Sequence, residues 1–101
     1  MIRSHFPAAN TDAVCTIPSS STRAPILNRI DCAYSGTLIS GSIKITVDGV
    51  ILWQLPITAI GPNSFKDLNI SGKVGSTMVI TLVAGGASAT GWLNVTAEGE
   101  N

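Results

Sequence analysis

Hydrophobic and polar residues alternate with a period of two along most of the chain after residue 25. The clearest case is the stretch 42–48, where Ile43, Ile45 and Val47 alternate with polar side chains. Successive side chains of a strand point to opposite faces of a sheet, so this alternation predicts half-buried strands. No stretch carries apolar residues at helical spacing, and β-branched residues dominate. The pattern therefore predicts an all-β protein.

The pair Asp48-Gly49 separates residues 42–47 from a second β-rich run at 50–55. Asp-Gly between two such runs is typical of a two-residue hairpin loop, because a type I′ turn needs a positive φ at both central residues. Turn residues also divide the remaining sequence into short β-rich runs, at 26–35, 57–60, 65–70, 76–84 and 89–97. About seven to eight short antiparallel strands at this spacing predict a single β-sandwich, of jelly-roll or immunoglobulin-like topology.

The first 25 residues differ from the rest, because Pro18 and Pro25 enclose a Ser/Thr-rich stretch of turn and linker character. One short strand is predicted before it, at residues 13–17. We therefore predict an extended N-terminal arm at 1–25, ordered by what it lies against, followed by a β-sandwich domain at 26–101. A disordered tail is the alternative for the arm.

The chain is poor in charge. Only 12% of its residues are charged, with six basic residues balanced by six acidic ones, whereas about 25% is usual in soluble domains. The basic residues are scattered, which argues against a nucleic-acid partner and against a polybasic membrane contact. So few charges give little repulsion between copies, which favours a surface covered by other subunits over a free monomer with hydroxyl-rich faces.

Motifs for catalysis or metal binding are missing from the sequence. The single histidine, His5, lies in the predicted arm, and the separated Cys15 and Cys32 do not form a zinc pattern. Nucleophile-elbow, P-loop and dinucleotide signatures are also absent. We therefore predict no enzymatic activity, no cofactor and no resident metal, with a calcium site near Asp67 and Asn69 as a weaker alternative. The start of the sequence shows no secretory signal, so synthesis in a cytoplasm is expected unless a precursor segment was removed. Buried free thiols are then expected at Cys15 and Cys32, with a disulfide between them as the alternative.

Binding is expected to depend on aromatic side chains. Trp92 lies on the hydroxyl-rich face of residues 90–96 and is predicted to point outward, whereas Trp53 shares a face with Ile51 and Leu55 and is predicted to be core. An outward Trp is typical of a subunit contact or of a platform for sugar rings, and burial between the sheets is the third interpretation. The residues predicted to form an interface are His5, Phe6, Val14, Ile17, Trp92 and Asn94.

Several stretches between residues 26 and 97 resemble small β-sandwich proteins encoded among bacteriophage virion genes. They are YSG at 34–36, GSIKITVDG at 41–49, IGP at 60–62, TLVAGGA at 81–87 and TGWLNV at 90–95. The resemblance implies a capsid decoration (cement) protein, or a tail or fibre accessory protein, that is made in the host cytoplasm and located in the virion. Its implied partners are further copies of itself, with a trimer favoured, and a major capsid or other virion protein. A carbohydrate-binding module that uses Trp92 is the alternative function.

Overall fold

A computed structural model of the chain describes residues 2–98, which form nine β-strands and no helix. The strands are β1 (Ile2–His5), β2 (Ala13–Ile17), β3 (Ile26–Gly36), β4 (Gly41–Val47), β5 (Val50–Ile57), β6 (Asn63–Phe65), β7 (Ile70–Ser71), β8 (Met78–Leu82) and β9 (Ala89–Glu98). They make two antiparallel sheets, in the orders β1-β9-β3-β6, with β7 also paired to β3, and β2-β8-β4-β5. The predicted all-β class is confirmed, and the arrangement is compatible with a β-sandwich.

Both sheets bury their alternate side chains in one hydrophobic core. In β4 the buried side chains are Ile43, Ile45 and Val47, and in β9 they include Leu93 and Val95. Each fully buried aliphatic side chain of this size stabilises the folded state by roughly 1.5–3 kcal/mol relative to leaving it in water. In β4 and β9 the period-two pattern of the sequence is therefore the pattern of core contacts. Within residues 2–98, no helix is present that could cross a membrane.

The predicted hairpin is confirmed. Val47 pairs with Val50, so the connection between β4 and β5 has two residues, Asp48 and Gly49. Their φ angles are 52° and 77°, the positive values that the type I′ turn requires. Ser76 donates a hydrogen bond of 2.9 Å to the Asp48 carboxylate, which ties the loop to the chain ahead of β8.

Replacing Gly49 with alanine is expected to destabilise the fold by about 1 kcal/mol. A Cβ built on Gly49 meets nothing within 4 Å, so the cost arises from the left-handed backbone alone. Gly49→Asn is the matched control, because asparagine tolerates this conformation better than alanine. Urea denaturation of both variants measures the difference, and equal losses would contradict the assignment of the turn.

Two bulges change which side chains share a face. In β3 the pairing with β9 shifts between Leu27 and Arg29, so Leu27 and Ile30 are both fully buried. Strict period-two alternation along residues 26–35 predicts that Leu27 and Ile30 lie on opposite faces of the strand, and this prediction is wrong. A bulge adds one unpaired residue to a strand, and sequence alternation alone does not reveal it.

The second bulge lies in β5. Ile45 pairs with Trp53 but Thr46 pairs with Ile51, which leaves Leu52 as the extra residue. Ile51 therefore does not share a face with Trp53, and 49% of it is exposed. Trp53 packs against the core and meets Phe65 edge to face, so the predicted core role holds for Trp53 and is wrong for Ile51.

The described part of the predicted arm, residues 2–25, supplies an outer strand to each sheet. β1 pairs with β9 in one sheet, and β2 pairs with β8 in the other. Ala13, Cys15 and Ile17 are buried while the residues between them are exposed. This alternation gives β2 an apolar face, and pairing with β8 removes that face from water. The segment is thus part of both sheets and does not merely lie over them.

The two cysteines are free and buried, as the sequence predicts. Cys15 lies in β2 and Cys32 in β3, on opposite sheets of the same core. Burial raises the pKa of Cys32 to about 11 and also raises the pKa of Cys15. Both thiols therefore stay protonated at neutral pH and pack as small apolar side chains.

Candidate functional site

The outer face of the five-stranded sheet carries a stacked pair of aromatic rings. Trp92 points outward from β9, and Phe6 directly follows β1, which pairs with β9 through His5 and Leu93. The Phe6 and Trp92 ring centroids lie 5.5 Å apart with an interplanar angle of 12°, an offset stack of the kind aromatic pairs favour. Phe6 is 64% exposed and Trp92 37%. A shallow hollow lies beside these two rings, and we call the rings and the hollow together the aromatic face.

The hollow exists because the neighbouring side chains are small. Ala33 of β3 pairs with Trp92, and Ala33, Ser35 and Thr90 line a shallow space of about 250 Å³ next to the two rings. Tyr34 forms part of the same hollow and points into the protein, where its hydroxyl donates to the carbonyl of Val83. Burial raises the pKa of Tyr34 to about 12, so it is a neutral hydrogen-bond donor that fixes β3 to the other sheet.

A row of polar residues crosses the same face next to the aromatic pair. Ser4, Asn94, Asp31 and Ser64 pair in sequence across β1, β9, β3 and β6. Asp31 accepts two hydrogen bonds from Arg29, of 2.8 and 3.1 Å, and one of 2.6 Å from Ser64. The hydrogen bond from Arg29 is the largest cause that lowers the pKa of Asp31. The row gives the aromatic face a polar border whose charges are paired.

The lowered pKa of Asp31 predicts a pH dependence of stability. Because the folded-state pKa lies below the ordinary value of 3.8, ionised Asp31 stabilises the fold above that value, and the contribution disappears as pH falls through the folded pKa. In Asp31→Asn, the loss of stability between neutral and acidic pH should be smaller than in the wild type. Ser64→Ala removes the hydrogen bond from Ser64, which lowers the pKa of Asp31 less than the one from Arg29 does. This variant should therefore reduce the pH-dependent loss of stability by a smaller amount. Urea denaturation across this range tests the expectation, and an unchanged profile for Asp31→Asn contradicts it.

Metal-binding geometry is absent from residues 2–98, where no three His, Cys, Asp or Glu side chains converge. No protein-family model matches the chain, and no curated protein matches it in sequence. The geometry of the aromatic face is therefore what bears on its function.

The structure brings some of the predicted interface residues together and separates others. Phe6 and Trp92 form the stacked pair, and Asn94 lies two residues further along the same face. His5 and Val14 meet at the side of the molecule, where the amide of Val14 donates to His5 Nδ1 over 2.9 Å. This bond links β2 of one sheet to β1 of the other, and Val14 stays 37% exposed.

Ile17 requires a correction, because its side chain is fully buried in the core. An interface residue must reach the surface, so the prediction that Ile17 contacts a partner is wrong. Ile17 belongs to the same alternating set as Ala13 and Cys15, which the sequence interpretation placed in an arm. Once β2 pairs with β8, that set faces inward.

A second apolar surface was missed by the sequence analysis. β5 is the outer strand of its sheet, and Val50, Ile51 and Leu52 are 62%, 49% and 45% exposed. The sequence predicts the run from 50 to 55 as the second strand of a hairpin, without indicating that the strand lies at the edge of its sheet. The available signal was Pro56, because proline within a strand is confined to sheet edges and bulges.

Proposed function

We propose that the chain is a non-enzymatic structural protein of a virion, a capsid decoration protein that stabilises the shell by bridging neighbouring subunits. The observation that carries this proposal is the exposure of large apolar side chains on a surface with few charges. Ile2, Phe6 and Trp92 on one sheet are 72%, 64% and 37% exposed. Burying apolar surface of this kind against a partner gains about 25 cal/mol per Å² of apolar area.

The aromatic face is the proposed contact with the capsid protein. Tryptophan is enriched among the residues that dominate binding energy, and such residues are typically surrounded by polar neighbours that exclude water. Here Trp92 is supported by Phe6, and the row that contains Asn94 and Asp31 borders the pair. The hollow of about 250 Å³ has room for one apolar side chain of a partner. These features fit a binding surface for another protein better than they fit a catalytic site.

In this proposal the two sheets form a single β-sandwich, which presents one outer face to the shell. The partners are further copies of the chain and a major capsid or other virion protein, and the protein is located in the virion. A rigid sheet suits this role, because a contact surface built on paired strands keeps its shape before binding.

Binding to capsids tests the proposal. We expect a major capsid protein to be encoded close to the gene for this chain, and the probe is a shell assembled from that protein and mixed with purified chain at micromolar concentration. We expect the chain to sediment with the shells up to a fixed ratio and to raise the temperature at which they disassemble. Shells that sediment without the chain at every concentration would overturn the proposal.

The stacked rings also favour a second candidate, a carbohydrate-binding module. Sugar rings stack on indole faces, and Thr90 and Ser35 place hydroxyl groups beside Trp92. A glycan array that shows binding by the wild type and none by Trp92→Ala would support this candidate. Absence of glycan binding, together with loss of capsid binding in the same variant, would support the capsid role.

A further inference from the structure

His5 joins the outer strands of the two sheets. β1 is the outer strand of the five-stranded sheet and β2 is the outer strand of the other. Val14 of β2 pairs with β8 on one side, and its amide donates to His5 Nδ1 over 2.9 Å. A ring nitrogen that accepts an N–H carries no proton of its own, so in this structure the imidazole is neutral and its proton is on Nε2.

The charged groups around His5 are Arg3 and Asp12. Side chains alternate along a strand, so Arg3 lies on the same side of β1 as His5, and it partly opposes the burial that raises the pKa of Cys15 in β2. Asp12, ahead of β2, accepts a hydrogen bond of 2.7 Å from a backbone amide that follows β8. Of β8 and β9, both within residues 2–98, β8 has no charged side chain and β9 has Glu98 at its far end. Protonation of His5 therefore adds a second positive charge beside Arg3.

The position of Phe6 depends on how the end of β1 is held. His5 is the last residue of β1 and pairs with Leu93, whereas Phe6 lies beyond the last pair and stacks on Trp92 with 64% of its surface exposed. The amide of Asn10 donates to a carbonyl of β9 over 3.0 Å, which holds the other end of the connection. Strand ends open more easily than strand centres, so the contacts of His5 decide whether Phe6 stays on Trp92.

We propose that His5 is a pH-sensitive switch for the aromatic face: its protonation breaks the bond to Val14, loosens the end of β1 and takes Phe6 off Trp92. Histidine is the side chain whose charge ordinarily changes between pH 5 and 8. Both nitrogens of a protonated ring are donors, so Nδ1–H then faces the N–H of Val14 and the bond is lost. The aromatic stack is therefore closed at neutral pH and above, and it opens as the pH falls.

The switch deepens the proposed function and rests on it for its use, since it states how contact with the capsid is regulated. Other groups near the two rings keep their charge over the same pH range. The pKa of Asp31 is lowered from 3.8, that of Cys15 is raised from 9.0, and those of Cys32 and Tyr34 are about 11 and about 12. A change between pH 5 and 8 therefore does not arise from any of these four side chains.

Fluorescence of the chain alone tests the switch. The chain has two tryptophans, so Trp53→Phe leaves Trp92 as the single reporter, and circular dichroism checks that this background folds at each pH. Between about pH 8 and about pH 5, we expect the emission of Trp92 to shift to longer wavelength and its quenching by acrylamide to increase. The reason is that the indole loses the ring of Phe6 that covers it.

Two substitutions at His5, made in the same background, show whether the acceptor is responsible. In His5→Asn the amide oxygen can take the place of Nδ1 and accept from Val14 without titrating, so the emission should keep its pH 8 value down to pH 5. His5→Ala has no acceptor, so its emission should lie at longer wavelength than that of His5→Asn already at pH 8, and it should not change with pH. His5 is exposed, so both variants should fold.

Three results would overturn the inference: Trp92 emission that does not change with pH when His5 is present, a His5→Asn variant that titrates like its parent, or equal emission of the Asn and Ala variants at pH 8. Capsid binding is measured separately. With His5 present, affinity for shells should fall about fivefold from pH 8 to pH 5, the equivalent of one hydrogen bond, and in His5→Asn it should not. Shells that bind no chain at any pH would refute the decoration role and leave the switch standing, whereas pH-independent binding despite a titrating Trp92 would refute its control of the contact.

Discussion

Ile17→Ala is expected to lower the free energy of unfolding by about 3 kcal/mol, within the range of roughly 2–5 kcal/mol seen for large-to-small core substitutions. Ile17 has no exposed surface, so the substitution removes buried methyl groups and leaves a cavity between the sheets. Small domains are stable by only about 5–15 kcal/mol in total, so the variant should unfold at a clearly lower urea concentration. Equilibrium denaturation followed by circular dichroism measures the loss.

Thr16→Ala is the matched control, because Thr16 is the neighbouring residue on β2 and its side chain is exposed. The control should change stability by less than about 0.5 kcal/mol. Equally small effects at the two positions would mean that β2 does not pack against the core. In that case the segment before Pro25 would be the arm that the sequence predicts.

Trp92→Ala is expected to weaken binding to capsid shells by at least about 2 kcal/mol, roughly a 30-fold loss of affinity. The reason is that truncation removes the largest ring of the aromatic face and also leaves Phe6 without its stacking partner. Folding should survive, since 37% of Trp92 is exposed and its other contacts lie at the surface of the sheet. Co-sedimentation across a range of chain concentrations measures the affinity.

Two variants show whether the loss belongs to the aromatic pair. Trp92→Phe keeps an aromatic ring in place and should retain part of the affinity. Asn94→Ala changes a half-buried residue on the same face and should cost less than Trp92→Ala. Wild-type affinity in Trp92→Ala would contradict the aromatic face as the contact, and the exposed residues of β5 would become the next candidates.

The elements that depend on neighbouring residues could be predicted from the sequence. The alternation over 42–48 and the Asp48-Gly49 pair predict β4, the turn and the start of β5, because strand faces and type I′ turns are decided by residues a few positions apart. Both cysteines were also predicted to be free and buried, and in the structure they are. Predicting these features needs no information about residues that are far away in the sequence.

The features that depend on distant pairing could not be predicted in the same way. Ile17 has the same alternating pattern whether β2 joins a sheet or lies in an arm, and only its pairing with Met78 of β8 decides between them. The bulges in β3 and β5 displace Leu27 and Ile51 from the faces that strict alternation gives them. Register between strands far apart in sequence is a property of the whole sheet.

The candidate site also combines features that follow from local patterns with features that depend on the pairing of distant strands. The outward direction of Trp92 follows from the alternation of β9, and the sequence analysis predicted it. That Phe6 stacks on Trp92 depends on β1 pairing with β9 in a register that places His5 opposite Leu93. The sequence named Phe6 as an interface residue without indicating its partner, and no local pattern connects residues so far apart.

Mass spectrometry of purified virions is the most direct test of the central claim, that this chain is a structural part of a virus particle. We expect capsid genes close to the gene for this chain, and the sample is the virion that they encode, purified away from the lysate by density gradient. The account predicts peptides of the chain in the particle fraction, at a fixed ratio to the major capsid protein that survives repeated purification. Particles that lack the chain, while the lysate contains it, would contradict the claim.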